Sequence, residues 1–273
     1  ARKDDQVSSL IWGHSGLLPT AAVKNATPPE IAYTSFEEES QAASANGGWT
    51  LTGTTGGWNS AVGFAQTGLK GFNLSTQRFV EKTGLSGSYL VGFWYKGGKV
   101  TILKGSTPEV ESPTSTGWAW FEFKVVMAGE TLKLAGNAST VYIDEARVHP
   151  IDALMSTYSY DAARKLLISI ADPSGIPMTY EYDHVQRLKT VFDVNRHVQQ
   201  ALEYQYKIGG AALNSVKTHD VLISGVANHA AAIALLDADV RPVFAYLDGL
   251  GRPIQTVAVK ESAGTNDMVN YQT

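Results

Sequence analysis

"YSYDAARKLLISIADPSGIPMTYEYDHVQRLKTVFDV" fills residues 158–194, and its reading decides the fold. Tyr158-Ser-Tyr160-Asp161 returns as Tyr180-Glu-Tyr182-Asp183, and Tyr204-Gln-Tyr206-Lys207 begins a decayed third copy. The steps from Tyr160 to Tyr182 and on to Tyr206 are 22 and 24 residues. A period of this length marks stacked structural units rather than a catalytic centre. Between the copies stand Asp172-Pro-Ser-Gly175 and Asp193-Val-Asn195. Asp caps a turn, Pro sets φ near −65°, and Gly accepts positive φ, so each unit reads strand, turn, strand, turn.

Working outward, residues 30–150 carry nine short strand-like runs, with turn signals about every ten residues. No helix interrupts them, which argues for a jelly-roll β-sandwich. In "WAWFEFKV", Ala119, Phe121, Phe123 and Val125 face one way, toward a core. Trp118, Trp120, Glu122 and Lys124 face the other, toward solvent or a ligand. Residues 1–29 form an N-terminal segment that ends at Pro28-Pro29, and 151–208 form the repeat region. In 209–273, "GVANHAAAIALLDADV" is a helix signal and Asp248-Gly-Leu-Gly251 a turn between strands. The class is mainly β.

Composition narrows the functions. The chain has 273 residues, enough for a packed core without staples. Cysteine is absent, which excludes disulfides, thiolate metal sites and Cys nucleophiles. The formal net charge is −4 and no basic stripe stands out, so nucleic acid is not an expected partner. The longest apolar run, Ala230–Leu236, is too short to cross a membrane as a helix. The first residues lack a signal-peptide centre, so either the protein is cytoplasmic or the chain is a piece of a longer polypeptide. Gly13-His14-Ser15-Gly16 lacks one residue of a nucleophile elbow and reads as a turn. The six histidines never pair at i, i+4, so zinc is not indicated.

Tyr160-Asp161, the run Tyr182-Asp183 to Arg187-Leu188, and the Asp172–Gly175 turn resemble the YD repeats of rearrangement-hotspot (RHS) proteins. Gln186 stands where that pattern usually has glycine, and the first copy has one extra residue. "YLDGLGRPIQTV" (246–257) resembles a repeat-associated domain of unknown function. Phe36-Glu37, Gly48-Trp49 and Tyr142-Ile-Asp144-Glu145 are similar to the punctuation of carbohydrate-binding, galactose-binding-like jelly rolls. These resemblances imply stacked hairpins within a large secreted or cell-surface bacterial protein, with other parts of that polypeptide as partners and no catalytic role.

They also imply candidate sites. A glycan would stack on exposed Trp, with Trp118, Trp120 and Trp94 the candidates, since these rings face away from the core. A structural Ca²⁺ would be held by Glu37 and Asp144, drawn from the acids at Glu37–Glu39 and Asp144-Glu145. Two alternatives stay open. The sandwich is a ligand-free adhesion or spacer module, which Trp packed in a dry patch would favour, or the chain belongs to a polymorphic toxin's delivery shell.

Overall fold

The computed structural model describes residues 7–37, 45–53, 57–60, 63–137, 141–206, 213–260 and 266–271. Glu39 and Lys207, both part of the expectations above, lie outside them. The chain divides into two compact units, Ala1–Pro177 and Met178–Thr273. The line falls inside the 151–208 repeat region. Both units are built almost wholly from antiparallel strands.

The first unit opens with a hairpin, β1 (Ser8–Gly13) and β2 (Leu18–Lys24). A short 3₁₀ turn at Pro28–Glu30 leads into the sandwich, and Thr27 and Glu30 cap it reciprocally. One sandwich sheet contains β4 (Ala45–Asn46), β5 (Trp49–Thr52), β8 (Phe79–Lys82), β10 (Val100–Lys104), β11 (Thr107–Glu111) and β13 (Leu132–Gly136). The other contains β6 (Trp58–Asn59), β7 (Gly71–Leu74), β9 (Ser86–Lys96), β12 (Ala119–Ala128) and β14 (Val141–Pro150). β3 (Ala32–Thr34) joins this second sheet by pairing with β14. All nine expected runs are strands. The unexpected ones are β4 and β6, two residues each, and β11, an edge strand containing Pro108. Proline inside a run reads as a non-strand except at an edge.

The sandwich core follows the alternation. Phe36, Trp49, Phe72, Leu74, Val91, Phe93, Ile102, Leu134 and Ile143 are buried together, with Phe121 and Phe123 packed against them. Trp49 also donates its indole N–H to the Ala146 carbonyl at 3.0 Å.

After the sandwich come β15 (Leu154–Tyr160) and β16 (Leu167–Ala171). β15 pairs with β2, Ser156 opposite Ala22, so the order is β1-β2-β15-β16. The N-terminal segment is therefore part of the hairpin sheet. The sandwich is an insertion between two neighbouring strands of that sheet.

The second unit is a ladder of β17 (Pro177–Tyr182), β18 (Leu188–Phe192), β19 (Val198–Gln205), β20 (Asn214–Val221), β21 (Val240–Leu247), β22 (Pro253–Ala258) and β23 (Met268–Tyr271). The expected long helix is a single short one, α1 (His229–Ile233). Asn228 caps it by accepting from the Ala231 N–H at 2.9 Å. A helix this short is unstable alone, and it is held by Ala232 against Phe192, Val198 and Ala201.

Candidate functional site

Two clusters in the first unit collect the residues that the sequence singled out. The first lies on the outer face of the β12-β9-β14 sheet. Trp120 stands opposite Trp94 in the β12–β9 register, their ring centroids 5.8 Å apart. Arg147 on β14 stands opposite Gly92 and puts its guanidinium 4.8 Å from the Trp120 ring centre. Gly92 is required there, because a Cβ would come within 2.6 Å of the Trp120 ring.

This face is covered by the chain's own turn. Arg147 donates to the carbonyls of Asp172 at 3.1 Å and Pro173 at 2.7 Å, and pairs with Glu122 at 3.3 Å. Trp94 donates its indole N–H to the Gly175 carbonyl at 3.1 Å. Gly175, at φ +78°, lies so close that an added Cβ would sit 2.3 Å from Trp120. The expectation that Trp94 offers a ring to a sugar is corrected, since it is only 7% exposed. Trp120 is half-buried under the same turn, and Trp118, just before β12, is half-buried with its indole N–H unpaired. Alternation identified the outward face, but it carries no information on what lies across it. The exposed tryptophan is Trp12 on edge strand β1, at 54%.

The second cluster is polar and lies where the sandwich meets β15. Glu37, Asp144 and Glu145 are 2%, 0% and 3% exposed. The structure brings Glu37 and Asp144 together through one loop, 66–70. Asp144 Oδ2 accepts from the Gln66 and Thr67 N–H groups, each at 2.9 Å, and Oδ1 from the Glu145 N–H at 2.7 Å. Glu37 Oε1 accepts from the Leu69 and Lys70 N–H groups, each at 2.6 Å. Lys70 Nζ donates to the Glu37 carbonyl oxygen at 2.8 Å.

Glu145 is the member that the sequence reading left without a role. It sits at a bulge in β14 with φ +52°, and bulges re-aim side chains. It accepts from Thr67 Oγ1 at 2.5 Å, Ser159 Oγ at 2.8 Å and the Tyr33 hydroxyl at 2.7 Å. Tyr33 and Ser159 belong to strands far apart in sequence, so no local signal could have joined them.

Burial pushes the Glu37 carboxyl up to about 7, against the pull of the Lys70 and Leu69 N–H groups and the Lys70 charge. Asp144 is held well above the usual carboxylate range by burial and then by the Glu145 charge. In so dry a site Glu37 and Asp144 do not ionise as freely as they would in water.

A Ca²⁺ ion takes about six to eight oxygen ligands. The positive ends of four N–H dipoles already point at the Glu37 and Asp144 carboxylates from the loop. The Lys70 ammonium occupies the Glu37 backbone oxygen at 2.8 Å. Among the described residues, no group of three or more His, Asp or Glu side chains is placed to hold a metal ion. The donor set does not fit a calcium ion.

The remaining candidates are structural. Gly13-His14-Ser15-Gly16 is the β1–β2 turn, with Gly16 N–H bonded to the Gly13 carbonyl at 2.9 Å. His14 is buried edge-on against Tyr160, 5.7 Å between ring centres, and burial lowers its pKa. No helix among the described residues is long and apolar enough to cross a membrane.

Comparisons with known proteins add little beyond this. Residues 222–273 match a family model described as a domain of unknown function, DUF6443. No curated protein matches the chain. Among solved structures, the chain is similar to the CBM22-1–GH10 modules of Clostridium thermocellum endo-1,4-β-D-xylanase 10B, complexed with xylohexaose. That likeness has 15% identity and a TM-score of 0.27, and covers 43% of this chain and 28% of the xylanase chain.

Proposed function

We propose that this chain is a non-catalytic scaffold: a β-sandwich inserted in a small hairpin sheet and followed by a ladder of Asp-turn hairpins, within a large secreted or surface-attached bacterial protein of the RHS/YD-repeat kind. The observation that carries this reading is the seating of the Asp172–Gly175 turn on Trp94, Trp120 and Arg147. A stacking face for sugar must be open, and here the ring pair serves to lock sandwich to hairpin. Desolvating Arg147 is offset by its terminal N–H groups, which donate to two carbonyls and to Glu122 while Nε stays buried without a partner, and such charged hydrogen bonds contribute roughly 1.5–3 kcal/mol each. Trp packed in a dry patch favours the spacer role over a lectin-like one.

The test is calorimetric titration of the whole chain with a panel of soluble polysaccharides. The scaffold reading expects no saturable binding. Saturable binding that disappears in Trp118→Ala or Trp120→Ala would replace it with a lectin-like module. Hydrolysis of a sugar or ester substrate, lost in Glu37→Gln or Asp144→Asn, would overturn the non-catalytic reading.

A further inference from the structure

We infer that the 66–70 loop does for the buried carboxylates of Glu37 and Asp144 what a divalent cation would otherwise do, with the Lys70 ammonium as the counter-charge. This goes beyond the scaffold reading and is tested separately from it.

A carboxylate taken out of water must be given charge or donors. Five consecutive residues supply both here. Gln66 and Thr67 give their N–H groups to Asp144, and Leu69 and Lys70 give theirs to Glu37. Successive backbone N–H groups pointing into one concavity form an anion-binding nest. Gly68 allows the loop to close. Its φ is +65°, and a Cβ would come within 2.3 Å of Glu37 Oε1 and 2.7 Å of Ile168 Cδ1. The loop is thus pinched between the acid and β16, with no room for a side chain at that point. Lys70 then closes the far side of Glu37 through its carbonyl oxygen. Glu145 needs no share of this charge, because hydroxyls of Thr67, Ser159 and Tyr33 satisfy its two oxygens.

The first measurement is the melting temperature of the intact chain in EDTA and in millimolar Ca²⁺, with calorimetric titration of Ca²⁺ and Mg²⁺. The expected result is the same melting temperature in both buffers and no binding isotherm. Lys70→Met is expected to lower the melting temperature by several degrees in both, and to move the pH midpoint of the stability profile upward, as Glu37 loses its counter-charge. Lys70→Arg should retain most of both properties. A wild-type melting temperature that falls in EDTA, or a stoichiometric Ca²⁺ isotherm, would overturn the inference. So would a Lys70→Met protein with unchanged stability and pH profile. If Lys70→Met does not fold, the wild-type chelator comparison and Lys70→Arg decide the matter.

Discussion

At the scale of single residues, the hairpins rest on two positions per turn. Asp183 Oδ1 accepts from the Val185 and Arg187 N–H groups, and Oδ2 from Arg187 Nε. Asp248 repeats this with Leu250 and Arg252, and Asp172 and Asp193 repeat the Oδ1 half. Three residues after each Asp the chain is left-handed: Gly175, Gln186, Arg196 and Gly251, all with φ between +62° and +79°. The extra residue of the first copy is absorbed within its turn, where Lys165 takes the left-handed place one residue later. Glu37 carries a residue-scale prediction. Its folded pKa of about 7 lies above the ordinary 4.5, so the folded state holds the proton more tightly. That contribution is full below pH 4.5 and is lost as pH rises through 7. The difference corresponds to roughly 3 kcal/mol. Urea denaturation between pH 5 and 8 should show stability falling over this window. Glu37→Gln should flatten that slope.

At the scale of elements, the turn decides what each hairpin tolerates. A left-handed non-glycine residue costs about 1–2 kcal/mol. Gln186 is exposed and occupies such a place, so its side chain gives the turn nothing that glycine would lose. Gln186→Gly should therefore raise stability by about 1 kcal/mol, read as a higher melting temperature. An equal or lower value would mean that the Asp183 turn does not hold this conformation. Arg196 occupies the same conformation but pairs with Glu181 at 2.7 Å and covers Phe192, so the same change there is not clean. The Asp248 turn lies inside the stretch that matches DUF6443, yet it is built like the turns of the Tyr-Asp region. Element type was readable here from Asp, Pro and Gly spacing alone. The helix was not, because Ala-rich sequence speaks only to propensity, and packing kept a single short segment of it.

At the scale of the whole chain, the sandwich is an insertion in the first unit. β2 and β15 are neighbours although the twelve sandwich strands among the described residues lie between them in sequence. Pairing over such a distance carries a large loop-closure entropy. Locking it covalently removes that cost from the unfolded state. The chain has no native cysteine, so Ala22→Cys with Ser156→Cys introduces a clean pair at positions opposite each other in the register. The oxidised protein should show a two-proton mass loss and faster non-reducing gel mobility. In the chain-entropy picture its stability should rise by up to about 4–5 kcal/mol. Free thiols that persist under oxidant would count against the β2–β15 pairing.

Local chemistry determined most of the elements. Alternation in Ala119–Val125 separated core from outer face, and the Asp turns announced the hairpins, because backbone and side-chain geometry within a few residues suffices for both. Glu37 and Asp144 were legible as a pair only through the jelly-roll resemblance. What only the tertiary structure decided was how those surfaces are used. That Trp94 and Trp120 lie beneath a turn, that Glu145 joins Tyr33 and Ser159, and that residues 8–24 complete a sheet with 154–171 all depend on contacts between segments distant in sequence. Such contacts leave no periodic trace in either partner, since each segment's pattern records only that it is buried, and not against what.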